Sequence, residues 1–383
     1  MLAVSGAHLS YLIITINLIV NKKMFGRKKT SIISIIIIIL FMFLANMTPS
    51  IFRAGVMAIV PIIGNLIHKK QDVYTTMSLA LIISLIINPY NILNIGMQLS
   101  YLATLSILLY YNIFVKYTIN KNKSNKNINF LKKIRKYFIE NIIVSISANI
   151  LIFPIIMYKF NIIPVNFLIS NLIVGPLLGF VIVIGIVIVL ISLISLNISK
   201  FFAIFLNLIL NFIIKIISYI SKIKNITIIT PYLINIIIIY MLIFIITFCI
   251  IKKIKLIRLV KIYKIKLLAL ICIYILVFNS IVFLNKYSNL SVYLIDIGQG
   301  DGILIKTPLG KNILIDGGGH YNKNEKGVGE KILIPYLLNR RVSKIDCMIL
   351  THFDIDHVGA AMEVMKKIKI NTIIVRKTIS NIE

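Results

Sequence analysis

Long runs of apolar residues dominate the chain as far as residue 287. Ten runs are separated by short polar or basic connections: Ser31 to Ala45, Ile51 to Ile67, Val73 to Ile87, Ile92 to Val115, Tyr137 to Tyr158, Ile162 to Val174, Leu177 to Leu196, Phe201 to Ile220, Leu233 to Ile251 and Leu267 to Leu284. An α-helix of about twenty apolar residues spans a bilayer, and shorter runs would be tilted, re-entrant or lengthened by their flanks. The pattern predicts a polytopic α-helical membrane bundle over residues 1–287.

After residue 288 the apolar runs become short and alternate with turn residues. Strand-like runs cover Ser291 to Ile297, Ile303 to Thr307, Asn312 to Ile315, Cys347 to Leu350 and Thr372 to Val375, with helical periodicity over Glu330 to Asn339 and Val358 to Lys367. Glycine-rich segments separate the first strands, as expected of turns. The pattern predicts a separate α/β domain over residues 288–383.

Composition supports this division. The 383 residues are 59% apolar and have a mean hydropathy of +0.96, which is too apolar for a soluble globular protein. Of the twelve acidic residues, only Asp72 and Glu140 precede residue 288. The net charge of +30 is weak evidence for nucleic-acid binding, because basic connections also orient membrane helices. Three scattered cysteines favour neither a disulfide framework nor a thiolate metal site.

Basic connections also predict how the helices are oriented. Residues 116–136 and 252–266 are rich in lysine and contain no acid, so both should be cytoplasmic. The five runs between them are one too many for a return to the same side. We expect Ile162 to Val174 not to span, because Pro164 at its start and Gly175-Pro176 after it interrupt the helix. The last apolar run then places the C-terminal domain outside the cytoplasmic membrane.

Three polar side chains of the membrane region are candidate channel residues. Arg53 lies within an apolar run, where an ionisable group usually faces a pore or a partner; the alternative is a side chain that reaches the membrane interface. Gln98 fits either a channel wall or a hydrogen bond between helices. His8 fits either a pore lining or an interfacial position, of which the second is the simpler interpretation.

The most concentrated chemistry lies in the segment His352-Phe353-Asp354-Ile355-Asp356-His357, which follows an apolar strand. Imidazole and carboxylate groups together suit Zn, Mn or Fe ions, which activate water for hydrolysis at neutral pH. The alternative is a polar loop whose ligand-like residues arise by chance. Acids and histidines are scarce elsewhere in the chain, which weakens that alternative. The segment predicts a metal-dependent hydrolase site at the C-terminal end of a strand.

Both parts of the chain resemble one known family. The metal segment is similar to the metallo-β-lactamase-fold signature, with Asp354 in the place of the usual second histidine. Other segments resemble, in the same order, those of the ComEC family of competence proteins, which import DNA during natural transformation. They are Ser5-Gly6-Ala7-His8, Thr48-Pro49-Ser50 with Arg53-Ala54, Asn88-Pro89 with Gln98-Leu99-Ser100, Phe153-Pro154 with Asn171 and Pro176, Asp296-x-Gly298-Gln299-Gly300-Asp301, and Asp316-Gly317-Gly318.

The resemblance implies a multi-pass protein of the cytoplasmic membrane that passes one DNA strand into the cell. A partial αββα metallo-β-lactamase-like domain would degrade the other strand, with Asp356 orienting or deprotonating the attacking water. The harder oxygen ligand Asp354 favours Mn over Zn. The expected ligands of one or two divalent ions are His352, Asp354, Asp356 and His357. The expected supporting or turn-forming acids are Asp296, Asp301 and Asp316.

The sequence departs from the family at both ends. Family members carry a region ahead of the Ser5 segment, and the metallo-β-lactamase fold takes further ligands from a later half. Half a site would hold metal weakly, so we expect a fragment, a truncated product, or one part of a complex that a second polypeptide completes. Other expected partners are single-stranded DNA, membrane lipid, other competence proteins and further copies of the chain. Two alternatives stay open: a membrane-anchored metal-dependent phosphodiesterase without transport, and an inactive remnant.

Overall fold

The computed structural model describes residues 6–19, 26–118, 130–223, 225–252, 289–298, 300–319 and 327–376, with single residues and short pieces between 273 and 280. The chain divides into two compact units. One comprises Met1–Phe153 and Pro164–Asn225, and the other comprises Pro154–Ile163 and Ile226–Glu383. Most of the predicted last apolar run, Leu267 to Leu284, lies outside the described residues.

Ten α-helices precede the C-terminal domain in the described residues. They are α1 (Gly6–Ile19), α2 (Arg27–Leu44), α3 (Pro49–Leu66), α4 (Val73–Ile87), α5 (Ile95–Thr118), α6 (Phe130–Asn149), α7 (Phe153–Phe160), α8 (Phe167–Ser192), α9 (Leu196–Ser221) and α10 (Leu233–Ile251). A 3₁₀ turn, Pro89–Leu93, joins α4 to α5. Helices α1 to α6, α8 and α9 belong to the first unit, whereas α10 belongs to the second.

Two helices of the first unit each bury one stripe of residues. Their buried positions recur every four residues: Thr30, Ser34, Ile38 and Met42 in α2, and Thr76, Ala80 and Ser84 in α4. The Ser34 hydroxyl donates to the Thr30 carbonyl at 2.9 Å, which satisfies it inside the bundle. Large apolar side chains such as Leu44 and Ile86 are instead exposed. Small polar residues among the buried positions, together with exposed large apolar residues, are typical of helices that pack in lipid.

Five helices of the described residues are long and apolar enough to cross a membrane: Pro49–Leu66, Ile95–Lys116, Phe167–Ser192, Leu196–Ser221 and Leu233–Ile251. A sixth crossing is counted if Ile134–Asn149 and Phe153–Phe160, which are bent at a short break, act as one span. The predicted polytopic helical bundle is therefore confirmed.

The prediction that Gly175-Pro176 interrupt a membrane run is wrong. Helix α8 continues through Pro176, so the segment predicted not to span ends inside a helix of spanning length. Helix α1 packs against this part of α8, where the Tyr11 hydroxyl donates to the Gly175 carbonyl at 3.3 Å. A Cβ at Gly179 would lie 2.6 Å from the Tyr11 ring, so only glycine permits this approach. Proline is tolerated inside membrane helices, and Pro176 does not end α8.

The run from Tyr137 to Tyr158 is broken instead. Helix α6 ends at Asn149, and Pro154 is the second residue of α7. Proline is well suited to the first turn of a helix, where its missing N–H is not needed. With α6 and α7 as one span, four crossings (α6 with α7, α8, α9 and α10) separate the two basic connections, the even number that a common side requires.

The second unit contains a five-stranded mixed sheet. Strands β1 (Ile162–Ile163) and β2 (Ile226–Thr227) form a separate antiparallel pair. The larger sheet has the order β3 (Ser291–Leu294), β4 (Ile303–Lys306), β5 (Asn312–Ile315), β6 (Lys344–Leu350) and β7 (Lys369–Val375). Strands β3, β4 and β5 pair antiparallel. Strands β5, β6 and β7 pair parallel.

Short helices cover this sheet and close its core. A π turn, Gly329–Leu333, leads into α11 (Ile334–Asn339), and α12 (Ile355–Val358) and α13 (Ala361–Met365) lie between β6 and β7. The helix predicted over Val358 to Lys367 is therefore two shorter helices. The most buried core side chains include Leu304, Leu314, Leu337, Met348 and Val364. The predicted α/β architecture is confirmed, and β6 occupies the centre of its parallel half.

Candidate functional site

The candidate metal loop begins where β6 ends. Strand β6 finishes at Leu350, and helix α12 begins five residues later at Ile355. Thr351 to Asp354 therefore form a loop between a buried parallel strand and a helix. Such a loop at the carboxyl end of a strand is the usual place for a site in an open α/β sheet.

Three side chains of this segment converge. One ligand atom from each of His352, Asp356 and His357 lies within 4.8 Å of the others. The two imidazole rings are 3.7 Å apart between centroids. Two imidazoles and a carboxylate are a donor set that suits Zn and other first-row divalent ions. The residues present therefore fit a divalent metal, and a further ligand is needed to complete four-fold coordination.

The other acids of the prediction have different places. Asp354 does not belong to this converging group; its Oδ2 lies 3.4 Å from His352 Nε2 and its side chain is largely exposed. Asp301 is close enough to add to the charge that acts on His357. Asp296 is exposed and forms no described ion pair. Asp316 contacts the metal loop directly.

Asp316 holds the loop through three contacts. Its Oδ1 accepts from the Thr351 N–H at 2.9 Å. Its Oδ2 accepts from the Thr351 hydroxyl at 2.6 Å and lies 3.0 Å from His357 Nδ1. A carboxylate at Nδ1 fixes the ring orientation of His357 and leaves Nε2 for a metal.

The pKa shifts of Asp316 and His357 follow from these contacts. Burial alone would raise the pKa of Asp316, but hydrogen bonds from Thr351 and His357 outweigh it and hold that pKa below its ordinary value. The same hydrogen bond raises the pKa of His357 above its ordinary value, burial opposes this, and the charges of Asp316, Asp356 and Asp301 add to it. A proton on His357 therefore competes with a metal ion as pH falls.

Glycine residues bring two other loops against the metal loop. A Cβ on Gly300 would lie 1.7 Å from the Asp356 carbonyl oxygen, and one on Gly319 would lie 1.7 Å from the Ile355 carbonyl oxygen. The Gly317 N–H also donates to the His357 carbonyl at 2.8 Å. The glycine-rich segments that appear in the sequence as turns thus also form the wall behind helix α12.

The candidate channel residues lie in the first unit. The Arg53 guanidinium, on α3, donates to the Ser100 carbonyl on α5 and lies 5.8 Å from the centre of the Tyr101 ring. The Arg53 Nε and the Tyr101 hydroxyl are buried without a hydrogen-bond partner in the described residues. Gln98 Nε2 donates to the Ile92 carbonyl at 2.8 Å. His8, on α1, is partly buried.

A cavity of about 850 Å³ lies elsewhere in the first unit, between the start of α2 and the turn from α3 to α4. Arg27, His68, Lys69 and Lys70 contribute positive or titratable groups to its lining, whereas none of the candidate channel residues lines it. Arg53 therefore bonds α3 to α5 at a place that does not line this cavity.

Comparisons with known proteins match both parts of the chain. Residues 1–253 match the family described as Competence protein, and residues 295–382 match the Metallo-beta-lactamase superfamily. The ComE operon protein 3 of Bacillus subtilis (strain 168) is 27% identical over 98% of this chain and 47% of that protein. The chain therefore spans about half the length of this curated relative. No solved structure shows a significant match.

These matches agree with the architecture. The first match covers well over half of the chain and coincides with its apolar helices. The second match begins directly after strand β3 and contains the metal segment. A metallo-beta-lactamase domain implies binding of divalent metal. The chain belongs to the Competence protein family, as a multi-pass membrane protein that carries a C-terminal metallo-beta-lactamase domain.

Proposed function

We propose that this chain is a cytoplasmic-membrane component of a DNA-uptake channel that imports single-stranded DNA, with an attached metal-dependent hydrolase domain. The observation that carries the proposal is one chain in which helices of the competence family precede a His-Asp-His cluster of metallo-beta-lactamase type. We place the boundary between the two domains near residue 288. Other competence proteins, a second polypeptide that completes the hydrolase domain, or further copies of the chain are the partners we propose.

The proposed site uses the chain's own groups in distinct roles. His352, Asp356 and His357 bind one or two Mn or Zn ions, Asp354 joins them from the exposed side, and Asp316 positions His357. Asp301 and Asp296 belong to the surrounding turns. A bound divalent ion supplies Lewis acidity toward a phosphodiester. Asp356 orients the attacking water and accepts its proton.

The C-terminal domain is proposed to lie outside the cytoplasmic membrane. Contacts inside the second unit support this orientation. The Thr230 hydroxyl donates to Asn339 Oδ1 at 2.8 Å and accepts from the Asn161 amide. By the distribution of basic connections, Asn161 and Thr230 both belong to outer segments. A domain that bonds to both belongs on the same side.

The proposal is tested in a transformable host whose own copy of this gene is deleted and replaced by variants. Deletion should abolish uptake of labelled DNA. Asp356→Asn should lower metal-dependent cleavage of a phosphodiester by about 10²–10⁴-fold, because the group that accepts the proton is lost. Uptake of DNA that is already single-stranded should persist in this variant, since the channel residues are unchanged.

Three outcomes separate the candidates. Normal uptake after deletion, together with metal-dependent cleavage by the purified chain, selects a membrane-anchored phosphodiesterase without transport. Normal uptake without cleavage contradicts both functions. Lost uptake with unchanged cleavage in Asp356→Asn keeps the channel and removes Asp356 from the hydrolytic role.

A further inference from the structure

Three cations meet at one end of the sheet domain. Lys306 ends strand β4, and its ammonium group donates to the carbonyl of Arg340, which follows helix α11. Burial lowers the pKa of Lys306, and the charges of Arg340 and Arg341 lower it further. No carboxylate of the described residues forms an ion pair with any of the three. Their mutual repulsion is therefore uncompensated within the described part of the protein.

Aromatic rings fix the two guanidinium groups. Arg340 lies 4.1 Å from the centre of the Tyr293 ring and 5.4 Å from that of Tyr336. Arg341 lies 3.9 Å from the centre of the Tyr232 ring. A guanidinium held against a ring loses little freedom on binding and keeps N–H donors in a rigid fork that matches phosphate. Stacked arginines of this kind are preorganised for an oxyanion.

The backbone at Arg341 also has an unusual conformation. Arg341 follows the end of α11 with φ +58°, in the left-handed region. The Val342 N–H donates to the Leu337 carbonyl at 2.9 Å. This bond belongs to a helix-ending turn in which the left-handed position, here Arg341, is usually glycine. A non-glycine residue is strained in this conformation. The turn thus carries a strained arginine beside a second arginine where an uncharged glycine would fold better.

The cluster lies between the metal loop and a membrane helix. Strand β4 starts three residues after Gly300, which adjoins Asp356, and ends at Lys306, roughly 10 Å further along by strand geometry. At the other side, Tyr232 directly precedes helix α10, and the Thr230 N–H donates to the Leu338 carbonyl at 3.2 Å. An extended chain that leaves the metal loop toward the membrane helix would pass the cations.

We propose that Lys306, Arg340 and Arg341 form a binding site for phosphate groups of single-stranded DNA between the metal loop and helix α10. The inference rests on the proposed function, because the extended geometry and the path toward a membrane helix favour a nucleic-acid strand over other polyanions. Arg340 and Arg341 donate to phosphate oxygens, and Lys306 adds positive charge from beneath. The site reads no bases, since backbone contacts carry no sequence information.

The test uses the full chain in nanodiscs of phosphatidylcholine and a fluorescent oligothymidylate, with anisotropy measured over a range of salt concentrations. Arg341→Gly removes a cation and relieves the left-handed strain, so the fold should be kept or stabilised. Arg341→Gly should weaken binding about threefold to tenfold and lower the slope of log affinity against log salt by about 0.7, the value for one phosphate contact on a single strand. Adding Arg340→Gln should roughly double the loss of slope.

Lys366→Gln with Lys369→Gln is the charge-matched control, because both lysines are exposed and lie elsewhere in the same domain. This control should bind as the wild type does. Unchanged affinity and slope in Arg341→Gly with Arg340→Gln overturn the inference, even if the wild type binds and imports DNA. Unchanged DNA binding with lost retention of phosphatidylglycerol in mixed nanodiscs assigns the cluster to a lipid headgroup instead. A wild type that neither binds nor imports DNA overturns the proposed function as well.

Discussion

Asp316, whose side chain contacts the metal loop, has a left-handed backbone conformation. Its φ is +52°, in the residue directly after β5, and its side chain is almost completely buried. The Asp316 N–H donates to the Ile349 carbonyl at 2.9 Å, which anchors the residue to the neighbouring strand. The carboxylate thereby faces Thr351 and His357 rather than solvent. A buried charge so well bonded holds the imidazole of His357 in one orientation.

Replacing Asp316 by asparagine keeps the size of the side chain and removes its charge. Loss of a carboxylate that supports a ligating histidine typically lowers metal affinity by about 10–100-fold, and we expect a loss of this size for Mn or Zn. Calorimetric titration of the full chain with either metal measures it. In the wild type, metal affinity should itself fall as pH falls, because the proton on His357 must then be displaced.

Asp346→Asn is the matched control for this experiment. Asp346 is also a bonded carboxylate, which accepts from the Asn312 N–H at 2.9 Å, but it lies in the first half of β6, away from the metal loop. Its replacement should lower stability and leave metal affinity unchanged. If both variants bind metal as the wild type does, Asp316 does not support the site.

The sequence reveals the metal cluster more readily than its support. His352, Asp356 and His357 lie within six residues, so their spacing alone indicates a site. The contact of Asp316 depends on the parallel register of β5 with β6, in which Ile315 pairs with Ile349. No local pattern encodes that register. The sequence therefore predicts the donor types but does not distinguish Asp316 from Asp296 and Asp301.

At the scale of elements, close backbone approach holds the metal loop. Gly300 has φ +87° and touches the Asp356 carbonyl, whereas Gly298 has φ +89° and open space around it. The two glycines share a conformation and differ in surroundings. They therefore separate the effect of backbone strain from the effect of contact.

Gly300→Ala should displace the metal loop, because its Cβ would overlap a backbone oxygen that cannot swing away. We expect about 1–2 kcal/mol of strain from the backbone conformation in both alanine variants, and a further loss in Gly300→Ala alone. Thermal unfolding measures stability, and metal titration measures the site. Gly298→Ala should keep metal affinity. Equal metal affinity in both variants would exclude the close approach as a determinant of the loop.

Helix boundaries show where local patterns fail. Pro154 and Pro176 have the same chemistry, yet α7 begins beside the first and α8 continues through the second. Pro154 is the second residue of its helix, whereas Pro176 lies inside α8, where Tyr11 of α1 packs against the Gly175–Gly179 turn. The sequence predicts the existence and type of the helices well. It does not predict which proline a neighbouring helix will accommodate.

For the whole molecule, orientation is the property with the largest consequence for function. If the proposed function is correct, a hydrolase domain outside the membrane would meet incoming DNA, whereas one inside would meet the cell's own nucleic acids. Lys116, at the end of α5, and Lys366, after α13, are both exposed and belong to the predicted inner and outer sides.

Single cysteines at these positions, in a chain whose native cysteines are replaced by serine, report the side directly. A membrane-impermeant maleimide should label Lys366→Cys in intact cells and Lys116→Cys only after the membrane is opened. The reason is the basic connection after α5, which the distribution of lysine and arginine predicts to be cytoplasmic. Labelling of both positions in intact cells, or of Lys116→Cys alone, would contradict the proposed topology.

The Thr230 contacts have a consequence for biogenesis. Asn161 is 69 residues from Thr230, and Thr230 is 109 residues from Asn339, so the ribosome delivers the three partners at separate times. The Asn161 side chain is almost wholly buried, and a buried amide without its partner costs about 1–3 kcal/mol. Nascent chains that thread a helix the wrong way would leave this amide unpaired. The contacts of these three residues therefore favour the correctly inserted chain by about the same amount.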